Sequence, residues 1–318
     1  MGTAALALAF VAVRIPIPVF WIYLPGPVKD VERVVDVRGA PTYPSQGALY
    51  MTTVSVDVRA TLAELARAAV DADEAIAFSE ELTTGESFGE QLVRQRAAMS
   101  SSQRTARQLA LRELGYGEPP RVVRTSEGFP ADDVLQPGDV IVAVDGVRVD
   151  TTCEVGRAVG RVAAGDEIEL TVRRGDGMET VTLRTVPSGT SGHSVIGIQM
   201  TDVNYRFEPE IDVDFDTGRI AGPSAGLMLS LALYDRLTPA DLTGGRVVAG
   251  TGTVDCIGRV GAIGGVAQKV TAAEREGADV FLSPVANADA ARSAADDISV
   301  VAVSSFADAL AYLQDGSV

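Results

Sequence analysis

The sequence predicts an α/β domain joined to a mainly β module and preceded by an apolar N-terminal segment. From Glu210 onward, strand-like and helix-like runs alternate, the pattern that builds an α/β layer structure. Between Pro119 and Val186, short β-branched runs are punctuated by turns such as Pro137-Gly138-Asp139 and Asp145-Gly146. From Thr3 to Leu24 nearly every residue is apolar. With 318 residues and 46% hydrophobic content, the chain has material for about two domains of roughly 150 residues each.

A helix over 3–24 would rise about 33 Å, enough for the ~30 Å hydrocarbon core of a bilayer. Arg14 sits in its middle and Pro16 and Pro18 interrupt its second half, so the clean helical run is Thr3 to Val13. Phe20, Trp21 and Tyr23 fit an interfacial aromatic belt. No basic region precedes the run and no A-x-A site follows it, which argues against a cleaved signal peptide. The expectation is an N-terminal transmembrane helix over residues 1–24: a single-pass anchor in the cell membrane, with the remaining chain extracytoplasmic.

Residues 25–115 read as a strand and helical region. Val31 to Val58 carries alternating valines, and Leu62, Leu65, Ala66 and Ala69 share one helical face. A second helix is expected from about Ser101 through Ala106, Leu109 and Leu114, stopping at Gly115. The acidic stretch Ser79 to Gln91 reads as a surface connection between them. Residues 116–187 form the β module, with a helix near Thr152 to Val162 and strands Glu167 to Arg173 and Thr180 to Thr185. Ser188 to Ser194 reads as a joint. Beyond it, 188–318 is expected to alternate: strand Glu210 to Phe215, helix Pro223 to Leu237, strand Arg246 to Val254, helix Gly265 to Gly277, strand Val280 to Ser283, then Val285 to Ala295, Ile298 to Val303 and Phe306 to Leu313.

A net charge of −16 argues against phosphate binding, so nucleic-acid partners are excluded. Cys153 and Cys256 lack metal-ligand neighbours and read as two buried free thiols, with a bridge between them as the alternative. The lone histidine, His193, reads as a solvated linker residue, and no metal site is expected.

Of 27 cationic residues only Lys29 and Lys269 are lysines. Arginine keeps its proton near neutral pH, whereas a desolvated lysine can lose it, so Lys269 is a candidate general base. Its helix buries the face Val266, Val270, Ala273 and Gly277, with Lys269 on the border of that face. Snorkelling of the ammonium to solvent is the alternative. Ser224 lies in Gly222-Pro223-Ser224-Ala225-Gly226, ahead of an apolar helix whose first-turn amides suit an oxyanion. A plain helix start is the alternative, since Pro and Ser are favoured there.

The run Gly128-Phe129-Pro130-Ala131 and Leu135 to Val147 resembles a bacterial PDZ domain. That resemblance implies a module that takes an extended peptide as an added strand. Its Gly-Leu-Gly-Phe loop has only Leu114-Gly115-Tyr116 as a distant substitute. Glu210 to Phe215, Gly222 to Gly226 and Ile263-Gly264-Gly265-Val266-Ala267-Gln268-Lys269 resemble the proteolytic domain of Lon proteases (peptidase family S16). The 45-residue separation of Ser224 and Lys269 suits it.

With the anchor and the PDZ-like module, the chain resembles the membrane-anchored PDZ-Lon proteins of bacteria. The resemblance implies a Ser224–Lys269 catalytic dyad, a supporting threonine at Thr251, and backbone support from Ala225 and Gly226. Ala221, Thr253 and Ala267 depart from the family pattern, which bears on rate and regulation. Met99-Ser100-Ser101-Ser102 and the strands near Gly47 to Val58 resemble the first half of a Lon-type domain, which would make the PDZ-like module an insertion.

No G-x-x-x-x-G-K-[ST] loop is present, so no ATPase and no cofactor are expected. The expected function is an ATP-independent serine endopeptidase whose PDZ-like module recruits or gates polypeptide substrates. The resemblance further implies a homo-oligomer. The rival is a membrane-tethered PDZ peptide-binding adaptor with an inactive protease domain.

Overall fold

The computed structural model describes residues 15–71, 73–78, 87–116, 119–189, 192–201 and 211–315. The chain forms two compact units. The first draws on Met1–Val37, Pro41–Ala110 and Val213–Val318, and the second on Arg38–Ala40 and Leu111–Asp212. The second unit therefore interrupts the first in sequence. The stretch 188–212, expected with the C-terminal domain, belongs to the second unit, and most of 25–115 belongs with the C-terminal residues.

The first unit is built on a sheet whose parallel strands run in the order Ala48–Met51, Val247–Gly250, Val280–Pro284 and Ser299–Val303. Lys29–Asp30 adds antiparallel at the Ala48–Met51 edge. Val280–Pro284 is buried at every position, as a central parallel strand covered on both faces must be. The serine helix, Gly226–Leu237, is apolar nearly all round and packs on Ala48–Met51 and Phe306–Asp315. The lysine helix, Val266–Arg275, packs on Ala288–Ala294 through a core that includes Val270, Ala273, Phe281 and Ala291. The β-rich stretch 47–58 divides between two sheets: Ala48–Met51 joins the parallel one, and Val54–Asp57 joins a smaller antiparallel one.

That smaller sheet corrects the expected transmembrane helix. Phe20–Pro25 is a strand, flanked antiparallel by Val54–Asp57 and Ala75–Phe78. Ile22 is buried against Ala60, Leu65 and Ala68, with Phe20 and Leu24 packed on the same cluster. Pro16 and Pro18 end any helix before this point, and alternation then favours a half-buried strand over a membrane belt. Among the described residues no helix is long and apolar enough to cross a membrane. Thr3 to Val13 lies outside the described residues.

The second predicted helix is longer than expected, spanning Phe88–Glu113. Ser87 caps it: its Oγ accepts the Glu90 amide while the Glu90 carboxylate accepts the Ser87 amide, a capping box that the acidic composition obscured. Residues 79–86 of the expected surface connection lie outside the described residues. Leu114-Gly115-Tyr116 terminates this helix. Gly115 has φ +80°, and the Tyr116 amide reaches back to the Leu111 carbonyl.

The second unit is an antiparallel sheet in the order Gly177–Arg184, Glu167–Arg174, Val140–Val144, Arg121–Thr125 and Ile198–Thr201. Helix Thr152–Arg161 has a Thr151–Glu154 capping box and buries Val155 and Val159 in a core with Ile141, Ile168 and Leu170. The expected joint at Ser188 to Ser194 is instead the end of a short ladder in this unit, Val186–Pro187 paired with Ser194–Val195. His193 belongs to it, its carbonyl accepting the Ser188 amide. The reading of two free thiols is also corrected, because no cysteine of the structure is free.

Asp139, only 2% exposed, receives Arg174 Nε at 2.8 Å and a second guanidinium nitrogen at 2.7 Å. This paired guanidinium holds the Asp139 carboxyl below its ordinary range. Removing the carboxylate takes two hydrogen bonds from a guanidinium that keeps Glu179 and the Val134 carbonyl. Asp139→Ala is expected to destabilise this unit, read as an earlier thermal unfolding transition of the full chain.

Candidate active site

Ser224 occupies a 3-10 turn, Pro223–Ala225, directly ahead of the serine helix. The expected single helix from Pro223 is therefore a tight turn followed by a helix from Gly226. Two elements hold the turn. On one side, the Gly222 amide donates to the Gln95 carbonyl at 2.9 Å, and Ser102 Oγ donates to the Pro223 carbonyl at 3.0 Å. On the other, the Ser224 carbonyl accepts the Gly252 amide at 2.8 Å and Thr251 Oγ1 at 3.1 Å. Gly226 must be glycine for this to close, because a Cβ there would lie 2.6 Å from Ser102 Oγ and 2.8 Å from Val254 Cγ2.

Lys269 arrives from the facing helix. Gly265 starts that helix at φ +66°, the left-handed region that glycine adopts without strain. Asn287 fixes the preceding loop, accepting the Ile263 amide at 2.9 Å and donating to the Ile263 carbonyl at 3.0 Å. The lysine side chain is 3% exposed, so it turns inward and does not snorkel. Its Nζ lies 2.9 Å from Ser224 Oγ and 2.9 Å from Thr251 Oγ1. Ser224 is partly exposed, which leaves its hydroxyl open to a substrate from one side.

Burial lowers the Lys269 pKa from its ordinary 10.5 to about 8. Thr251, 1% exposed, orients the amine. Its single hydroxyl proton goes to the Ser224 carbonyl, so toward Lys269 it accepts an N–H. When the amine is neutral, its lone pair is then left for the Ser224 hydroxyl proton. The arrangement can thus pass a proton between Ser224 and Lys269 without a histidine or a metal ion.

The structure brings Ser224, Lys269, Thr251, Ala225 and Gly226 together. Gly226 enters through its missing side chain, because its amide is committed to the Pro223 carbonyl. Ser102, the Gln95 carbonyl, Gly252 and Asn287 were not singled out as site residues from sequence. Met99-Ser100-Ser101-Ser102 reads from sequence as a helix start resembling the first half of a Lon-type domain, and nothing in its local pattern shows which serine faces the turn. In the second unit the missed element is Ile198–Thr201, which pairs with Arg121–Thr125 and forms the end of the sheet order.

The first unit is thus an α/β frame that presents a serine beside a buried lysine, and the second is a separate β unit with a terminal strand. Residues 166–313 match the Lon protease (S16) C-terminal proteolytic domain, and residues 102–185 match the PDZ domain. Lon protease 2 of Bacillus subtilis is 35% identical over 104 residues, 32% of this chain and 18% of that protein. Lon protease of Finegoldia magna is 30% identical over 167 residues, 49% of this chain and 20% of that protein. A probable periplasmic serine endoprotease DegP-like of Hahella chejuensis is 38% identical over 74 residues, 22% of this chain and 16% of that protein. This chain combines a PDZ domain with a Lon-type proteolytic domain. It spans about a fifth of the length of the Lon relatives it matches.

The buried amine sets a pH dependence of stability. Below about pH 8, folded and unfolded lysine both carry the proton, and the fold bears the whole desolvation cost. Between about 8 and 10.5 the folded amine is neutral while the unfolded one still binds a proton, so stability rises with pH through that window. Lys269→Met is expected to stabilise the first unit by about 1–3 kcal/mol at pH 7 and to flatten this rise, checked by denaturant unfolding at pH 7 and 9.5.

Proposed function

We propose that the protein is an ATP-independent serine endopeptidase with Ser224 as nucleophile and Lys269 as general base. One observation carries this reading: the only buried lysine among the described residues has its amine 2.9 Å from the Ser224 hydroxyl. A lysine is commonly exposed, and burying one costs free energy that no packing role requires. The match to the Lon-type proteolytic domain supports the same assignment.

The chemistry follows from the geometry. Neutral Lys269 takes the Ser224 hydroxyl proton as Oγ bonds to the peptide carbonyl carbon. Amides of the Ser224 turn face the developing oxyanion, where fixed donors contribute most. The ammonium then returns its proton to the leaving amine as the C–N bond breaks, leaving an acyl ester on Ser224. Water attacks that ester with Lys269 again accepting the proton, and Ser224 is regenerated. Thr251 keeps the amine aimed throughout. The chain has no phosphate-binding loop of its own, so nothing in this cycle draws on ATP.

The PDZ unit supplies the substrate handle in this proposal. An extended polypeptide adds to the outer edge of Ile198–Thr201, with backbone hydrogen bonds giving affinity. We extend the proposal to a homo-oligomer, on the resemblance to Lon-type domains. Localisation at the cell membrane, with the protease outside the cytoplasm, is likewise part of it. The absence of a free cysteine suits such an oxidising compartment.

Hydrolysis of casein or a model peptide without ATP tests the reading. Ser224→Ala and Lys269→Ala are each expected to lower kcat on the order of 10³-fold or more. Unchanged activity in both variants would sink the mechanism, and inactivity of the parent protein would leave a peptide-binding adaptor. For the parent, kcat/KM should rise with pH, reach half its maximum near 8, and level off once Lys269 is neutral.

A further inference from the structure

We infer that Ser102 is a positioning residue that aims the oxyanion-binding amide of the Ser224 turn. This rests on the peptidase reading above. A trans peptide unit is planar, and its C=O and the following N–H point in opposite directions. The Pro223 carbonyl and the Ser224 amide share one such plane, so a group that fixes the former sets the direction of the latter. The Ser224 carbonyl and the Ala225 amide share the next plane.

The second plane is held from the sheet side, where the Gly252 amide and Thr251 Oγ1 both reach the Ser224 carbonyl. The first plane has a different support. Pro223 has no amide proton to anchor the start of the turn. Its carbonyl accepts the Gly226 amide, a contact internal to the turn that moves with it. The tie from outside the turn is Ser102 Oγ at 3.0 Å, from helix Phe88–Glu113.

Ser102 is itself held rigidly. It is 5% exposed, and its Oγ lies where a Cβ on Gly226 would come within 2.6 Å. Removal of the side chain at residue 226 thus admits the hydroxyl against the turn. Two turns earlier on the same helix face, the Gln95 carbonyl receives the Gly222 amide at 2.9 Å. Further along, Gln103 Nε2 donates to the Phe215 carbonyl at 3.2 Å and to Thr217 Oγ1 at 3.1 Å. The helix therefore splints the whole segment leading into the nucleophile, and Ser102 is the member of that splint that touches the peptide plane beside Ser224.

Loss of the Ser102 hydroxyl frees this plane to rotate while leaving Lys269, Thr251 and the Ser224 hydroxyl in place. Ser102→Ala in the full chain is expected to lower kcat about 10- to 100-fold, less than outright loss of an oxyanion donor, with KM within about twofold. A peptidyl aldehyde, which forms a tetrahedral oxyanion on Ser224, should weaken by the same factor. The pH midpoint near 8 should stay, because Lys269 keeps its burial.

Parent-like kcat in Ser102→Ala overturns the inference. So does a fallen kcat with unchanged aldehyde affinity, or a pH midpoint displaced by about one unit, which would assign Ser102 to the lysine environment. Should Ser102→Ala fail to fold, Ser102→Cys fills the same space with a poorer donor, and the same ordering is expected. Failure of both to fold makes the role structural and overturns the inference. An inactive parent, or a fully active Ser224→Ala, overturns the peptidase reading itself and this inference with it, a result distinct from an active parent with an indifferent Ser102.

Discussion

A single amine held out of water beside a serine hydroxyl is the constraint on which the first unit is organised. A lysine 3% exposed, with its pKa drawn down to about 8, is a cost to the fold at neutral pH. It persists because the surrounding elements over-determine it. The lysine helix is buried on both sides of the residue, its N-terminus is turned by Gly265, and the preceding loop is held by Asn287. The serine comes from a different helix start, so the contact exists only when the sheet between them is formed.

The sheet does more than join the two helices. Its strand Val247–Gly250 ends in Thr251 and Gly252, which bind the Ser224 carbonyl, and Thr251 also receives the Lys269 amine. One strand end therefore aligns the Ser224 turn and the Lys269 amine together. The opposite side of the turn is bound by a helix that lies more than a hundred residues earlier in the chain, through the Gln95 carbonyl and Ser102. The insertion of a PDZ unit at 111–212 separates these pieces in sequence without separating them in the fold.

Much of the candidate site was legible in the chain because short motifs carry local instructions. Gly222-Pro223-Ser224-Ala225-Gly226 specifies a tight helix start, and Gly264-Gly265 specifies the start of the next one. The scarcity of lysine made Lys269 conspicuous. The N-terminal segment misled for a physical reason: an apolar run with aromatics has the same composition whether it faces lipid or forms a strand packed on a small helix. Phe20–Pro25 is decided by its partners, Val54–Asp57 and Ala75–Phe78, which lie far along the chain.

By itself the sequence determined the alternation of elements, the two glycine-bounded motifs and the identity of the serine and lysine, since periodicity, turn chemistry and residue type are local properties. Only the tertiary structure decided that the amine points inward, that Thr251 hands its proton to the Ser224 carbonyl, and that Ser102 reaches the turn from a distant helix. It also decided that residues 188–212 complete the inserted unit, with Ile198–Thr201 as its outermost strand. These are properties of long-range packing, in which which groups lose water and which backbone planes are pinned depends on segments that meet only after the chain has closed on itself.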